Sequence, residues 1–372
     1  MNFEFSDDQQ LLREQARSFL SENCSMKEVR KILEGDAPYD KNLWEKIVNL
    51  GWTATTIPEE YEGLGLSYLE LCVIAEELGR SLAPIPFSSS VYLATESIVL
   101  NGTAEQKSLY LPKLASGELI GCFAANEKDG FLSPETLSTE VSGGKISGEK
   151  MPVVDGDTAD FAIVFAKNDE QSDASTYIIN LDDPDIEKIP LKSIDPSRNQ
   201  VKLVFHGAHA EPLGNTQEGW KFINTLYDRA AILFAWEQIG GADTALTMAK
   251  EYAMDRFAFG RPIGSFQAIK HKLANIYVKN TLARSNCYYG AWALSTNAQE
   301  ISIAAASARV SSIQAFYYAS KENIQTHGGM GFTWEFDCQI PYRRARLLAA
   351  NIGSENVWQD KLIASIEAAR AA

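Results

Sequence analysis

Histidine is scarce in this chain, with four in 372 residues, and none stands in an HxxxH or HExxH arrangement. A zinc site of the helical kind is therefore not expected, and no metal is assigned. Cys24, Cys72, Cys122, Cys287 and Cys338 are scattered, odd in number and free of CxxC spacing, which argues against both a disulfide framework and a zinc ribbon. No run of about 18 apolar residues occurs, so no membrane span is expected. Basic charge is in deficit: 34 Lys and Arg against 49 Asp and Glu leave a formal charge of −15. Phosphate backbones are held by clustered cations, so nucleic acid is not an expected partner. The opening stretch MNFEFSDDQQLLREQARSFL carries acids early and has no basic region ahead of an apolar one. It does not read as a secretory signal, and a cytoplasmic location is expected by default.

What is present is a globular composition, 45% hydrophobic and 22% charged, on a chain long enough for two or three packed units. Residues 1–118 read as an all-α domain: SDDQQLLREQARSFLSEN offers a Ser/Asp cap and apolar residues at turn spacing, and YLELCVIAEELGRSLAP and AEQKSLYLPKLASGE repeat the theme. Residues 119–215 change to short β-branched and aromatic runs between Gly, Asp, Asn and Pro turns, the pattern of a β-sandwich or barrel. Residues 216–372 return to long Ala-, Leu- and Ile-rich segments, roughly 220–256, 266–296, 299–327 and 341–370, predicting a four-helix bundle. The fold class expected is therefore α+β and multidomain.

Two segments carry candidate chemistry. YAMDRFAFGRPIGSFQAIKHKLANI (252–276) ends a helix at Arg256, turns through Gly260, Pro262 and Gly264, and starts another near Ser265. A guanidinium beside a helix N-terminus complements the oxygens of a diphosphate, although Arg at a helix end also serves merely to complement the dipole. ENIQTHGGMGFTWEFDCQIPYRRAR (322–346) follows Gln325 with Gly328, Gly329 and Gly331. Missing side chains there admit a close ligand, or simply cap a helix.

The helical–β–helical order together with RFAFGRPIGSFQ and QTHGGMGFTWE resembles the acyl-CoA dehydrogenase family of flavoproteins over essentially the whole chain. The resemblance implies FAD between the middle domain and the bundle, a homodimer or homotetramer, removal of an acyl-CoA α-proton with β-hydride transfer to flavin N5, and reoxidation by an electron-transferring flavoprotein. It places Arg256 at the FAD pyrophosphate, Phe259 and Gln267 beside it, and Gln325, Gly328 and Gly329 at the adenosine side, reaching the partner subunit's FAD. CFAANEKDG (122–130) stands for the aromatic-x-x-Thr-Glu-Pro loop along the flavin, giving Phe123, Ala125 and Asn126, with Lys128 for the Pro. Where the family often reads Gly-x-Lys-x-Trp-Ile-Thr this chain reads GEKMPVV, so Pro152 and Val154 replace Trp and Thr, and a backbone N–H at Val154 is left to meet the flavin.

The second departure concerns the base. Many members carry Glu in a Tyr-Glu-Gly-Thr stretch; here LAANIGSENVW puts Ile352 at that position, with Ser354 and Glu355 displaced beyond reach. Other members place the base before an Arg on another helix, and YDR makes Asp228 and Arg229 resemble that pair, Asp228 as base and Arg229 toward substrate. The bland alternative for Asp228 is a helix cap or an ion pair with Arg229. Glu237 lies nine positions after Asp228, roughly half a turn out of phase at about 100° per residue, and is read as framework. His327 is read as a local hydrogen-bonding residue, His271 as solvent-facing, YRRAR as an intersubunit or interdomain salt-bridge site, and Trp334 and Glu335 as supports of the glycine turn. The expected function is dehydrogenation of an acyl-CoA, in a subgroup resembling those acting on bulky, cyclic or steroid acyl chains. The alternatives are an FAD-binding, catalytically silent subunit of a heterotetramer with a paralogue, and a flavin oxidase.

Overall fold

Ser6 and Gln9 close a capping box at the head of α1 (Asp7–Asn23), each side chain bonding the other's backbone N–H. The computed structural model describes residues 5–127, 132–168, 173–215 and 217–371. After α1 come α2 (Met26–Glu34), α3 (Lys41–Asn49), α4 (Tyr68–Ser81), a buried π-helical stretch Ser88–Thr95, α5 (Glu96–Asn101) and α6 (Ala104–Ala115). Thr103 and Gln106 repeat the capping box on α6. Then follow β1 (Gly121–Ala124), β2 (Glu140–Ser142), β3 (Lys145–Val154), β4 (Phe161–Asn168), β5 (Asp173–Asn180), β6 (Ile186–Leu191), β7 (Gln200–His209) and β8 (Glu211–Pro212). The long α7 (Gly219–Asp255) leads to a hairpin, β9 (Phe257–Ala258) and β10 (Arg261–Pro262). The chain closes with α8 (Gln267–Ser295), α9 (Ile301–His327), α10 (Gln339–Ala350) and α11 (Glu355–Ala371).

The helical, then sheet, then helical order expected from the residues is the order found. One difference is local: the last bundle segment is two helices, because the chain breaks between Ala350 and Glu355, where Gly353 takes a φ of 106° that an L side chain resists. The Trp358 indole N–H donates to the Ile352 carbonyl and fixes that break.

Two compact units emerge, one of Met1–Val29, Tyr68–Ala83 and Ala231–Ala372, the other of Arg30–Ser67 and Pro84–Ala230. In the helical unit α4 crosses α7 so closely that a Cβ on Gly79 would lie 1.8 Å from the Glu237 carbonyl oxygen, and one on Gly240 1.9 Å from that of Glu76. Around this crossing Glu76 and Asp243 each take ion pairs from Arg80 and Arg284. Burial pushes the Glu76 carboxyl up, but Arg284, Arg13 and Arg80 together bring it below its ordinary value. In the sheet unit eight strands run β6-β7-β3-β2-β4-β5-β8, with β1 parallel to β4. Phe161, Ile163 and Phe165 of β4 are fully or almost fully buried, as a central strand requires. Among the described residues no helix is long and apolar enough to cross a membrane.

Candidate functional site

The residues assigned from the sequence fall into two groups, one in each unit. In the sheet unit Phe123 closes against Tyr227 of α7, ring centroids 6.0 Å apart and edge-on. Ala125 and Asn126 leave β1, and their carbonyls are taken by β3: Lys150 Nζ donates to Ala125 O at 3.1 Å and Met151 N to Asn126 O at 2.9 Å. Val154 ends β3 opposite Gln200. Lys128 lies outside the described residues.

Asp228 is 4% exposed and sits well inside α7, so it caps nothing. Arg229 instead carries an ion pair with Glu96 at the start of α5, Nε to Oε1 2.5 Å. Desolvation pushes the pKa of the half-buried Tyr227 up, so its hydroxyl stays protonated.

Sequence reasoning did not anticipate what holds this group. Lys150, wholly buried, reaches Glu127 at 2.7 Å. The same carboxylate accepts the backbone N–H groups of Ser138 and Thr139 and the Ser138 hydroxyl. Burial lowers the Lys150 ammonium to about 8 against the attraction of Glu127. Burial pushes Glu127 the other way, yet Lys150 and these hydrogen bonds outweigh it and bring the carboxyl to about 2. At the far end of β3, Arg198 forks onto Asp155 and donates to Ser88 Oγ at 2.9 Å, while Ser89 Oγ donates to Asp155. These partners lie far apart in sequence, and no local pattern announces them.

In the helical unit Arg256 follows α7 and lines a cavity of about 470 Å³ with Met248, Glu251, Tyr252, Asp255 and His327. His327 stacks on Tyr252, centroids 4.1 Å apart, and donates from Nδ1 to the Asn323 carbonyl. Desolvation holds its pKa below the ordinary value despite that bond. It is thus the local hydrogen-bonding residue expected. Phe259 and Gly260 form the hairpin tip with φ of 53° and 77°, the pair of positive values that a type I′ turn needs. The Phe259 ring is 96% exposed. Gln267 and Gln325 are exposed, Gln267 bonding the equally exposed His271.

The glycines divide by role. A Cβ on Gly331 would lie 2.4 Å from the Ile324 carbonyl, so this residue is small for packing. Gly328 and Gly329 would meet nothing within 4 Å. The backbone at Gly328 and Gly329, beside His327, is thus open to a ligand, and Arg256, which lines the same cavity as His327, carries the one group among the described residues there suited to a diphosphate. Glu251, Asp255 and Asp337 in the same cavity suit hydroxyl and amino donors rather than phosphate.

Glu237 is buried framework, its Oε1 4.0 Å from Arg344. Arg344 does not reach outward as YRRAR implied: it is 1% exposed and donates to the Leu82 and Ala83 carbonyls inside its unit. Arg343 lies over the half-exposed Trp334 ring. Ile352, 2% exposed, is an apolar core residue. Among the described residues no cluster of three His, Cys, Asp or Glu could hold a metal.

Comparison with known proteins agrees with this arrangement. The family descriptions "Acyl-CoA dehydrogenase, N-terminal domain" and "Acyl-CoA dehydrogenase, C-terminal domain" match residues 6–118 and 217–366. The chain is 33% identical over 349 residues to acyl-CoA dehydrogenase IpdE2 of Mycolicibacterium smegmatis, covering 94% of this chain and 95% of that one. Its fold is similar to butyryl-CoA dehydrogenase of Megasphaera elsdenii, with TM-score 0.89, 24% identity and coverage of 98% and 100%. It is also similar to the ChsE4-ChsE5 complex of Mycobacterium tuberculosis, with TM-score 0.88, 24% identity and 99% of each chain. The two matched family descriptions and the 33% identical relative covered nearly end to end place this chain in the acyl-CoA dehydrogenase family, whose members are oxidoreductases acting on acyl-CoA and normally bind FAD.

Proposed function

We propose that the chain carries out FAD-dependent α,β-dehydrogenation of an acyl-CoA with Asp228 as the base. The observation that carries this reading is the Phe123–Tyr227 contact, which sets the turn of α7 bearing Asp228 against the strand that leads into the flavin loop. Asp228 takes the α-proton at its carboxylate, a role closed to Ile352. Bound FAD supplies the hydride acceptor for the β-carbon. Within the helical unit, Arg256 and the backbone at Gly328 and Gly329 suit the diphosphate and adenosine, the glycines toward the partner subunit's FAD; within the sheet unit, Phe123, Ala125, Asn126 and Val154 suit the ring side, and Arg229, fixed by Glu96, the acyl group. The arm of Asp is a methylene shorter than that of Glu, which fits an acyl chain of unusual shape, bulky or cyclic. An electron-transferring flavoprotein is the acceptor we assign, and an oligomer the working form.

A second reading is supported by Ile352 and by the likeness to a complex of two different chains, ChsE4 and ChsE5: an FAD-binding subunit whose partner supplies the base. Anaerobic titration of the purified protein with a panel of acyl-CoA thioesters tests both. Bleaching of a yellow homomer, lost in Asp228→Asn with FAD content unchanged, supports the first. Full-rate bleaching in Asp228→Asn removes Asp228 as the base, and a colourless chain that takes up FAD only with a second chain supports the subunit reading.

A further inference from the structure

Strand β3 slips against β7 between Lys150, opposite Leu203, and Val153, opposite Val201. One extra residue on β3 bulges there and frees Met151 and Pro152 from the ladder, a device that re-aims backbone beside sites. Pro152 is exposed and Met151 and Val154 half-buried. Neither Trp nor Thr is available in this stretch to lie on or bond a flavin.

The two residues that bracket segment 151–154 are both buried ions. Lys150 is clamped to Glu127 and the Ala125 carbonyl. Asp155 is clamped to Arg198 by two hydrogen bonds and to Ser89, and adopts a φ of 58°. Arg198 also reaches Ser88, so the π-helical stretch is tied to the same end. Buried ion pairs are costly to assemble, and replacing one with apolar residues of similar size is often neutral or stabilising. Stability alone is therefore a poor account of two such pairs at the two ends of one bulged segment. What they do fix is position: the Lys150 pin draws Ala125 toward β3, and the Asp155 pin orients the end of the strand at Val154.

Resting on the FAD reading above, we propose that Lys150–Glu127 and Asp155–Arg198 are positioning pairs that hold the backbone of segment 151–154 and the carbonyls of Ala125 and Asn126 as a rigid wall for the isoalloxazine ring.

The test replaces a whole pair, Lys150→Met with Glu127→Gln, so that no buried charge is stranded. FAD affinity, the visible circular dichroism of the bound flavin and thermal unfolding of the FAD-free protein are then measured. The expected result is an unfolding temperature near that of the parent, an altered flavin dichroism and an FAD Kd raised about tenfold or more. Unchanged dichroism and Kd overturn the proposal, whatever happens to the unfolding temperature. Should the double variant not fold, Glu127→Asp keeps the charge and shortens the arm: altered dichroism with unchanged unfolding supports the proposal, and parental dichroism overturns it. A parent protein that binds no FAD, alone or with a partner chain, overturns the FAD reading itself, an outcome distinct from parent and variant binding alike.

Discussion

The Arg229 guanidinium gives its Nε–H to Glu96, 2.5 Å away, with side chains only 11% and 3% exposed. The helix α7 thereby carries a largely buried cation one position after its buried Asp228 and delivers it to the start of α5. Truncating Glu96 leaves that cation without this countercharge, and removing one partner of a buried pair costs roughly 3–5 kcal/mol. Glu96→Ala should therefore move the urea midpoint strongly downward, and the double replacement Glu96→Leu with Arg229→Met should recover much of the loss. Equal midpoints for Glu96→Ala and the parent would show that the pair does not hold this end of α7.

Gly329 and Gly331 of QTHGGMG make opposite predictions from positions two apart. Gly331→Ala forces a methyl to 2.4 Å from a backbone oxygen and should cost about 1–3 kcal/mol by overpacking. Gly329→Val places its side chain in open space, so the unfolding midpoint should stay within about 0.5 kcal/mol of the parent. Its effect should appear in FAD retention, read by flavin absorbance after gel filtration. A Gly329→Val protein that keeps its full flavin complement would remove this cradle from the cofactor site.

Much of this was legible before any coordinate. The Ser/Asp cap ahead of α1 is a short-range signal, and the switch from apolar residues at turn spacing to short β-branched and aromatic runs marks where the helices give way to the sheet. Motifs of fixed spacing stand out in the linear chain, and they single out Arg256, Gly328 and Gly329 for the proposed cofactor site. The ion pairs were not: Glu127 meets Lys150 and Asp155 meets Arg198 only after strands pair, and charge alone does not say which Lys is buried. Arg344 misled for the same reason. YRRAR reads as a salt-bridge site between subunits or domains, yet Arg344 is drawn inward because the end of α4 leaves the Leu82 and Ala83 carbonyls to be satisfied.

Acid should act through Glu127. Burial raises its carboxyl, Lys150 and the surrounding donors lower it more, and the result is about 2 against an ordinary 4.5. A lowered folded value means that the stabilising contribution is fully present above about 4.5 and is lost as pH falls from there toward about 2. Lys150 acts in the other window: lowered to about 8 from 10.5, it is deprotonated more readily in the folded chain, so its contribution to stability rises with pH between those values. Thermal unfolding of the parent should therefore fall more steeply below pH 4.5 than that of Glu127→Gln. Parallel curves would show that Glu127 is not held by these partners.

The two acids of TLYDRAAILFAWEQIGG should separate cleanly by experiment. Glu237 is 4% exposed and faces Arg344, and its charge also opposes the desolvation of the fully buried Arg309. Arg309 in turn is held by Gln238 and the Leu348 carbonyl, so loss of the Glu237 charge strains a region that ties α7 to α9 and α10. Glu237→Gln should lose roughly 3–5 kcal/mol of stability while flavin bleaching per folded molecule stays near the parental rate. Asp228→Asn should do the reverse: little change in unfolding midpoint, and bleaching slowed by about 10²–10⁴, the usual span for a missing general base. The two measurements together decide the roles, because a misfolded protein lowers total bleaching in proportion to lost flavin, whereas a missing base lowers the rate constant with flavin content intact. Slow bleaching at full flavin content in Glu237→Gln instead would transfer the base assignment from Asp228 to Glu237.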